Sequence, residues 1–151
     1  ACIDCVSKSR IMTDAAMICN LDFTKISVND LTINSRFTLK PSNDQSFVID
    51  RFIIWFILKF PTLDKNQKQI ELSSSPYDTD THFYQVAIKV PEIESENDEN
   101  NRNENLINKN DIINGSISIL HKENRFKPIM FRIQYSVNSP TEIKTITGIF
   151  E

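Results

Sequence analysis

A chain of 151 residues can bury a core without disulfide support, and its apolar (40%) and charged (25%) fractions are those of a globular domain. Its two glycines are too few for folds whose phosphate-binding loops need several. The net charge of −3 conceals an acidic, Asn-rich stretch at residues 92–111, and the remainder is too weakly basic to form a nucleic-acid footprint. We therefore expect no nucleic-acid partner. The longest uncharged apolar run, residues 52–58, is also too short for a membrane span.

The beginning of the chain has no clean hydrophobic period. Residues 1–18 are interpreted as a linker or an edge strand from a preceding region, and residues 19–151 as one domain. From Cys19 onward apolar residues alternate, first at Cys19, Leu21 and Phe23 and then, after a change of phase, at Ile26 and Val28. This alternation predicts a strand, and it continues at odd positions from residue 31 to residue 39. A turn is predicted at residues 41–44.

The run FIIWFILKF, residues 52–60, is apolar at both odd and even positions. Its β-branched and aromatic content, its length and the proline that follows favour a central strand that is covered on both sides. A further strand is predicted around residues 82–90, in which Gln85 and Lys89 face outward. The residues expected to face inward are His82, Tyr84, Val86, Ile88 and Val90.

The second half of the chain begins with residues 92–111, whose low complexity predicts a mobile loop. Asn114-Gly115, between Ile113 and Ile117, is the dipeptide typical of a two-residue hairpin turn. Residues 129–137 alternate between apolar and polar side chains and predict a strand with one buried face. A turn at residues 138–140 then leads into a last strand at residues 143–150.

These elements define the fold class that we expect. Short strands separated by turns, without a helical stripe, indicate an all-β fold, an immunoglobulin-like β-sandwich of about seven to nine strands with one long acidic loop. The chain is interpreted as a piece of a larger multidomain protein.

Candidate catalytic groups are scarce. His82 and His121 are the only imidazoles, and neither lies in a motif that would activate a nucleophile. We therefore expect no enzyme activity and no cofactor. A carboxylate-based hydrolase that uses Asp50, Asp64 or Asp78 stays open as an alternative, although Asp50 beside Arg51 favours an ion pair at the end of a strand.

The cysteines and two short motifs bear on location and on metals. Cys2, Cys5 and Cys19 are candidates for one disulfide, but reduced thiols are favoured because the rest of the chain has no cysteine, and a cytoplasmic location is favoured over an extracellular one. Cys2-x-x-Cys5 has the spacing of half a zinc site but lacks a second pair. The loop Asp78-Thr79-Asp80 has too few carboxylates for calcium. The sequon Asn114-Gly115-Ser116 would matter only in a secreted protein.

The function that fits these observations is a non-catalytic protein–protein interaction or scaffold module, for example in an intracellular trafficking or assembly subunit. Its partner would be another protein subunit or a neighbouring domain. An extracellular adhesion or receptor module is the alternative. The candidate partner-binding residues are Tyr77 and Phe83 near the Ser-Pro loop and Arg132 and Gln134 on the outward side of a strand. Ser95, with an acid three residues later, is a candidate phosphorylation site.

Overall fold

The computed structural model of the protein describes residues 2–62, 69–79, 81, 83–91, 105–121 and 129–150. Within these ranges the chain forms eleven strands and two short 3-10 helices, which confirms the predicted all-β class. The helices are Lys8–Arg10 and Val28–Leu31. The strands are β1 (Cys2–Asp4), β2 (Ile33–Leu39), β3 (Phe47–Val48), β4 (Arg51–Ile54), β5 (Ile57–Phe60), β6 (Ile70–Ser73), β7 (Gln85–Lys89), β8 (Leu106–Ile107), β9 (Ile113–His121), β10 (Ile129–Val137) and β11 (Lys144–Phe150).

The largest sheet has four antiparallel strands in the order β11-β10-β9-β2. Strand β10 alternates as predicted, with Phe131, Ile133 and Tyr135 buried and Arg132 and Gln134 exposed. Facing residues of paired strands share one side of a sheet, so Ile117 and Ile146 lie on the side of Ile133, and Ser118 and Thr147 lie on the side of Arg132. One side of this sheet therefore faces the core and the other faces water.

A three-stranded sheet, in the order β1-β7-β4, supplies the opposite wall of the core. Phe52 of β4 lies between the two sheets, with its ring centroid 5.1 Å from that of Tyr135 and 6.0 Å from that of Phe37. Two further pairs, β3 with β8 and β5 with β6, complete the pairing. The buried residues of the core are Ile49, Ile88, Val90, Ile107, Ile113, Ile117, Phe131, Ile133, Tyr135 and Ile146.

Strand β7 departs from the predicted facing. Tyr84 is 53% exposed instead of buried, and Gln85 is 6% exposed instead of facing water. Ala87 and Ile88 point to opposite sides of the sheet, and both are buried. The strand that is covered on both faces is thus β7. The position of the His82 side chain lies outside the described residues.

The predicted central strand FIIWFILKF is wrong, because the run divides into β4 and β5. These strands belong to different sheets, and the chain leaves the first sheet at Trp55-Phe56. The break occurs where the Ser74 amide donates to the Phe56 carbonyl at 3.0 Å and the Phe56 amide donates to Ser74 Oγ at 3.2 Å. This division, together with the two-residue strands β3 and β8, raises the number of strands above the seven to nine predicted.

The predicted hairpin turn at Asn114-Gly115 is also wrong, since both residues lie inside the nine-residue strand β9. Gly115 does not have a positive φ. A Cβ there would lie 2.5 Å from the Gln134 carbonyl oxygen and 2.5 Å from Cζ of Phe37. The glycine is therefore needed for space and not for a positive φ, because it permits close approach of the neighbouring strand and of the Phe37 ring.

The strand predicted over residues 19–28 does not form. Asp22 Oδ1 instead accepts hydrogen bonds from the Thr24 amide at 3.0 Å and the Thr24 hydroxyl at 2.7 Å. Asp30, the third residue of the 3-10 helix Val28–Leu31, accepts from the amide of the N-cap residue Ser27 at 2.7 Å. These local bonds give the backbone an alternative to a sheet ladder, and Phe23 is left exposed.

The turn predicted at residues 138–140 is present, and its geometry is set by Asn138 at φ 57°. The Asn138 side chain donates to Asp111 Oδ1 at 2.7 Å and accepts from the Ile112 amide at 2.8 Å. Asp111 Oδ2 also accepts from the Asn108 amide at 2.7 Å. Hydrogen bonds from the Asn108 amide and then from Asn138 lower the pKa of Asp111 from its ordinary value of 3.8.

The structure shows which elements lie in the predicted 1–18 segment and at the end of the predicted 92–111 loop. Cys2–Asp4 of the 1–18 segment forms the edge strand β1, and the Asp14 amide donates to the Lys40 carbonyl at 2.9 Å. At the other boundary, the predicted 92–111 loop ends in β8, whose Ile107 is fully buried. Leu106 and Ile107 pair with β3, so a strand lies within the range that was predicted to be a loop. Residues 92–104 lie outside the described residues.

Candidate interaction surface

An aromatic cluster surrounds the Ser-Pro loop that follows β6. The ring centroids of Trp55 and Tyr77 are 6.0 Å apart, and those of Phe56 and Phe83 are 5.7 Å apart, both in edge-on geometry. Lys8 Nζ lies 5.6 Å from the centroid of the Tyr77 ring, within the range of a cation–π contact. Tyr77 and Phe83, both predicted, therefore pack against two consecutive residues, Trp55 and Phe56, and the cluster adds three side chains that the sequence did not indicate.

Hydroxyl and amide side chains hold this aromatic cluster in place. Gln85 Nε2 donates to the Ser74 carbonyl at 2.7 Å, and Gln85 Oε1 accepts from the Val6 amide at 2.8 Å. Ser75 Oγ accepts from the Tyr77 amide at 3.1 Å and so fixes the start of the loop. A small pocket beside the cluster is lined by Cys5, Ser73, Ser74, Ser75, Thr79, Thr81, Phe83 and Gln85. The polar groups that line this pocket hydrogen-bond to one another, so the pocket is part of the framework that holds the aromatic cluster in place.

Tyr77 presents a neutral phenol at the surface. Burial of the ring, with the Asp14 carboxylate as a second cause, raises the pKa of Tyr77 above its ordinary value of 10.0. The side chain is nevertheless 43% exposed. A tyrosine with a packed ring and an accessible hydroxyl is a common interface residue, since it buries apolar area and still forms a hydrogen bond.

The ribbon formed by β5 and β6 continues from the aromatic cluster and has two unlike faces. Leu58 pairs with Leu72, and Phe60 pairs with Ile70, so these four side chains share one face. On the other face Lys59 Nζ lies 3.2 Å from Glu71 Oε1. We call the first of these the apolar ribbon face. Its outer pair is open to water, with Phe60 44% and Ile70 68% exposed.

Arg132 and Gln134 lie on a different surface, the outward side of the four-stranded sheet. Their cross-strand neighbours are hydroxyl residues, and Gln134 Nε2 donates to Thr145 Oγ1 at 3.4 Å. The polar row beside Gln134 also contains Arg36 and Ser116. The four predicted partner-binding residues are therefore divided between an aromatic surface and a polar sheet face.

The remaining candidate groups are placed as follows. Cys5 and Cys19 are exposed free thiols, while the side chain of Cys2 lies outside the described part. Asp50 Oδ2 forms an exposed ion pair with Arg51 Nε at 2.9 Å. Across the described ranges no three His, Cys, Asp or Glu side chains lie close enough to share a metal ion. Neither short helix of the described residues has the length and apolar character to cross a bilayer. Residues outside the described ranges include Ser95, Asp64, Asp80 and the side chain of His121.

Sequence reasoning did not identify Trp55, Phe56 and Phe60 as surface residues because it assigned residues 52–60 to a buried strand, and it did not single out Ile70. One signal was available. Ile70 is an isolated apolar residue that follows the polar stretch 64–69, which is unusual for a residue of a buried strand.

Comparison with known proteins places this surface in a family context. A family model described as the arginine methyltransferase oligomerization subdomain matches residues 1–140. The probable protein arginine N-methyltransferase 3 of Oryza sativa subsp. japonica is 28% identical over 95 residues, which are 60% of this chain and 15% of that protein. A chain of the Trypanosoma brucei PRMT1 enzyme-prozyme heterotetrameric complex with AdoHcy has a TM-score of 0.74 at 15% identity, over 99% of this chain and 42% of that one. The chain thus spans less than half the length of either relative, and the structural likeness shows a shared fold.

Proposed function

Because the chain belongs to the family of arginine methyltransferase oligomerization subdomains, we propose that it joins subunits of an arginine methyltransferase assembly. The family match over residues 1–140 carries this proposal. It agrees with the coarser expectation from the sequence, a protein–protein interaction module.

The composition of the surface supports this proposal. Monomeric domains rarely expose large contiguous apolar patches. Here Phe60 and Ile70 share one face of the ribbon, Phe56 and Tyr77 belong to the aromatic cluster beside it, and each of the four is at least 43% exposed. Interface cores are rich in aromatic residues, which supply large contact area at a small cost in side-chain entropy. This region is therefore the surface that we assign to a partner subunit.

We further propose that this chain contributes no catalytic group of its own. The carboxyls whose pKa is lowered, Asp22, Asp30 and Asp111, each accept hydrogen bonds from residues two to three positions away in exposed turns. Such bonds fix loop conformation. Activity of the whole protein would depend on residues beyond the segment that resembles the family.

The narrower expectations have less support. A trafficking or scaffold role, an extracellular adhesion role and an immunoglobulin-like strand topology stay predictions. The family match favours methyltransferase assembly over each of the two other roles.

Sedimentation velocity of the 151-residue chain over a range of concentrations tests the proposed function. We expect the weight-average mass to rise towards a defined oligomer, or the chain to co-sediment with a full-length arginine methyltransferase subunit. Substitution of Tyr77 and Phe83 by Ala should weaken association if the aromatic cluster contacts the partner. Substitution of Arg132 and Gln134 by Ala tests the polar sheet face in the same way. A chain that remains monomeric and does not bind the subunit would contradict the proposal.

A further inference from the structure

The polar sheet face carries two arginines and no acid in its two central rows. The rows follow from the register of the four-stranded sheet, since residues directly opposite each other on paired strands point to the same side. From β2 to β11 the rows contain Asn34, Ser118, Arg132 and Thr147, and then Arg36, Ser116, Gln134 and Thr145. Each of these positions therefore presents a hydroxyl, an amide or a guanidinium group.

Both arginines are exposed, and neither forms an ion pair within the part of the chain that the structure describes. The cations that do form ion pairs there are Arg10, Lys25, Arg51, Lys59 and Lys109. Asp14 lies beyond the end of β2, where its Oδ1 accepts the Lys40 amide at 2.7 Å. The two positive charges of the polar sheet face are thus not neutralised by the face itself.

The spacing of the two arginines fits a ligand with two separate anionic groups. Arg36 and Arg132 lie two strands and two rows' worth of one strand step apart, so their Cα atoms are about 12 Å apart at ordinary strand dimensions. A guanidinium group can bind one carboxylate through two parallel hydrogen bonds. An extended peptide advances about 3.3 Å per residue and directs alternate side chains to one side, so acidic residues four positions apart match this spacing at about 13 Å.

The surface between the arginines favours a peptide over a nucleic acid. Ser116 and Ser118 of β9 lie between them and are half-buried, and their hydroxyl groups can bond to a peptide backbone. Sheets that bind single-stranded nucleic acids stack the bases on aromatic side chains, and the two rows contain none. The net charge of the chain, −3, opposes non-specific attraction of an anion, so an acidic ligand needs a local positive site.

We propose that the polar sheet face binds an extended acidic segment of a partner protein, with carboxylates four residues apart on Arg36 and Arg132. This inference goes beyond the proposed role in assembly, which is assigned to the ribbon and the aromatic cluster on a different surface. The acidic segment lies across β9, and its backbone is held by the hydroxyl groups of that strand.

The test titrates the 151-residue chain with the peptide Ser-Glu-Glu-Thr-Ser-Glu-Glu-Ser and follows the backbone amide signals by NMR. We expect a saturable shift of the Ser116 and Ser118 signals, and no shift with the same peptide in which Gln replaces each Glu. Arg36→Ala and Arg132→Ala should each raise the dissociation constant about threefold to fivefold, as expected for exposed ion pairs. The double variant should show about the product of the two effects, because the two sites are well separated.

Lys109→Ala is the matched control, because it removes the same charge at an ion pair with Asp44 outside the polar sheet face. It should leave the dissociation constant within about twofold. Arg36→Lys keeps the charge but loses the planar fork, so it should bind more tightly than Arg36→Ala and more weakly than wild type. Circular dichroism confirms that the variants are folded.

The outcomes separate this site from other ligands and from the proposed function. Absence of a saturable shift, or equal losses in Lys109→Ala and the arginine variants, would overturn the proposal. Tighter binding of single-stranded oligouridine than of the acidic peptide would overturn the peptide as occupant. In sedimentation the arginine variants should associate with subunits as wild type does. Loss of that association would assign the face to the subunit contact instead, whereas a wild-type chain that binds the peptide but no subunit would contradict only the proposed function.

Discussion

Replacement of Gly115 by alanine tests the arrangement of the largest sheet. The added Cβ would stand 2.5 Å from the backbone oxygen of Gln134 and 2.5 Å from Cζ of Phe37, whereas ordinary contacts begin at 3.4 Å. The Phe37 ring can move, but the Gln134 oxygen is part of the β9–β10 ladder and cannot retreat without displacing β10. Overpacking of this kind costs about 1–3 kcal/mol, from which the lower backbone entropy of alanine in the unfolded chain recovers about 0.4–1 kcal/mol.

We therefore expect Gly115→Ala to lower the free energy of unfolding by about 1–2 kcal/mol in urea titrations followed by far-UV circular dichroism. The double variant Gly115→Ala with Phe37→Leu separates the two contacts. Leucine lacks the ring atoms that approach the new methyl group, so the double variant should be more stable than the sum of the single effects predicts. The coupling should be about 0.5–1 kcal/mol.

Asn114→Ala provides the control, because a hairpin turn and a strand interior make opposite predictions for it. In a two-residue turn both central residues need positive φ, so losing Asn114 would be costly. In the strand its side chain only accepts one exposed hydrogen bond, from the Thr38 hydroxyl at 2.9 Å, and its loss should cost less than about 0.5 kcal/mol. A neutral Gly115→Ala, or an Asn114→Ala of equal cost, would refute the strand packing described here.

Two further predictions concern buried and loop hydrogen bonds. Gln85→Leu should lower the free energy of unfolding by about 1–3 kcal/mol in the same urea titration, because it leaves the buried Val6 amide and the Ser74 carbonyl unpaired. The control Gln134→Leu, at an exposed position, should change the free energy of unfolding by less than about 0.5 kcal/mol. Equal effects of the two variants would contradict the assigned burial. The pKa of Asp111, measured by NMR titration, should lie below 3.8, so its stabilising contribution is complete above that pH and is lost as the pH falls through the lowered value. An Asp111→Asn variant that keeps the full acid dependence of unfolding would refute this second prediction.

The parts of the fold that sequence predicted correctly are those in which one face is polar. In β10 the buried residues Phe131, Ile133 and Tyr135 are each followed by a polar residue, and only one register keeps Arg132 and Gln134 in water. The turn after this strand was also predicted correctly, because Asn138 is a residue type that tolerates the positive φ that the turn requires. Both features depend on side chains close together in the chain.

Errors arose where a partner distant in sequence decides the structure. Gln85 can be buried because it bonds to the backbone of Val6, 79 residues earlier, and of Ser74, 11 residues earlier. Likewise the break at Trp55-Phe56 follows from hydrogen bonds to Ser74 that alternation cannot reveal. In both places the predicted strand residues do form strands, but the side of the strand that is buried, or the residue at which the strand ends, was predicted wrongly.

The same reasoning explains why an interaction surface is hard to recognise in a single sequence. Ile133 and Ile70 are identical side chains in strands, yet the first is 1% exposed and the second is 68% exposed. What separates them is the layer packed over each face, since Ile133 belongs to the core cluster with residues of other strands such as Ile88 and Ile107, whereas Ile70 lies in a ribbon of two strands. An apolar residue on a face that no other layer covers remains in water. The ribbon therefore has the apolar composition of a core, although Phe60 and Ile70 are exposed to water.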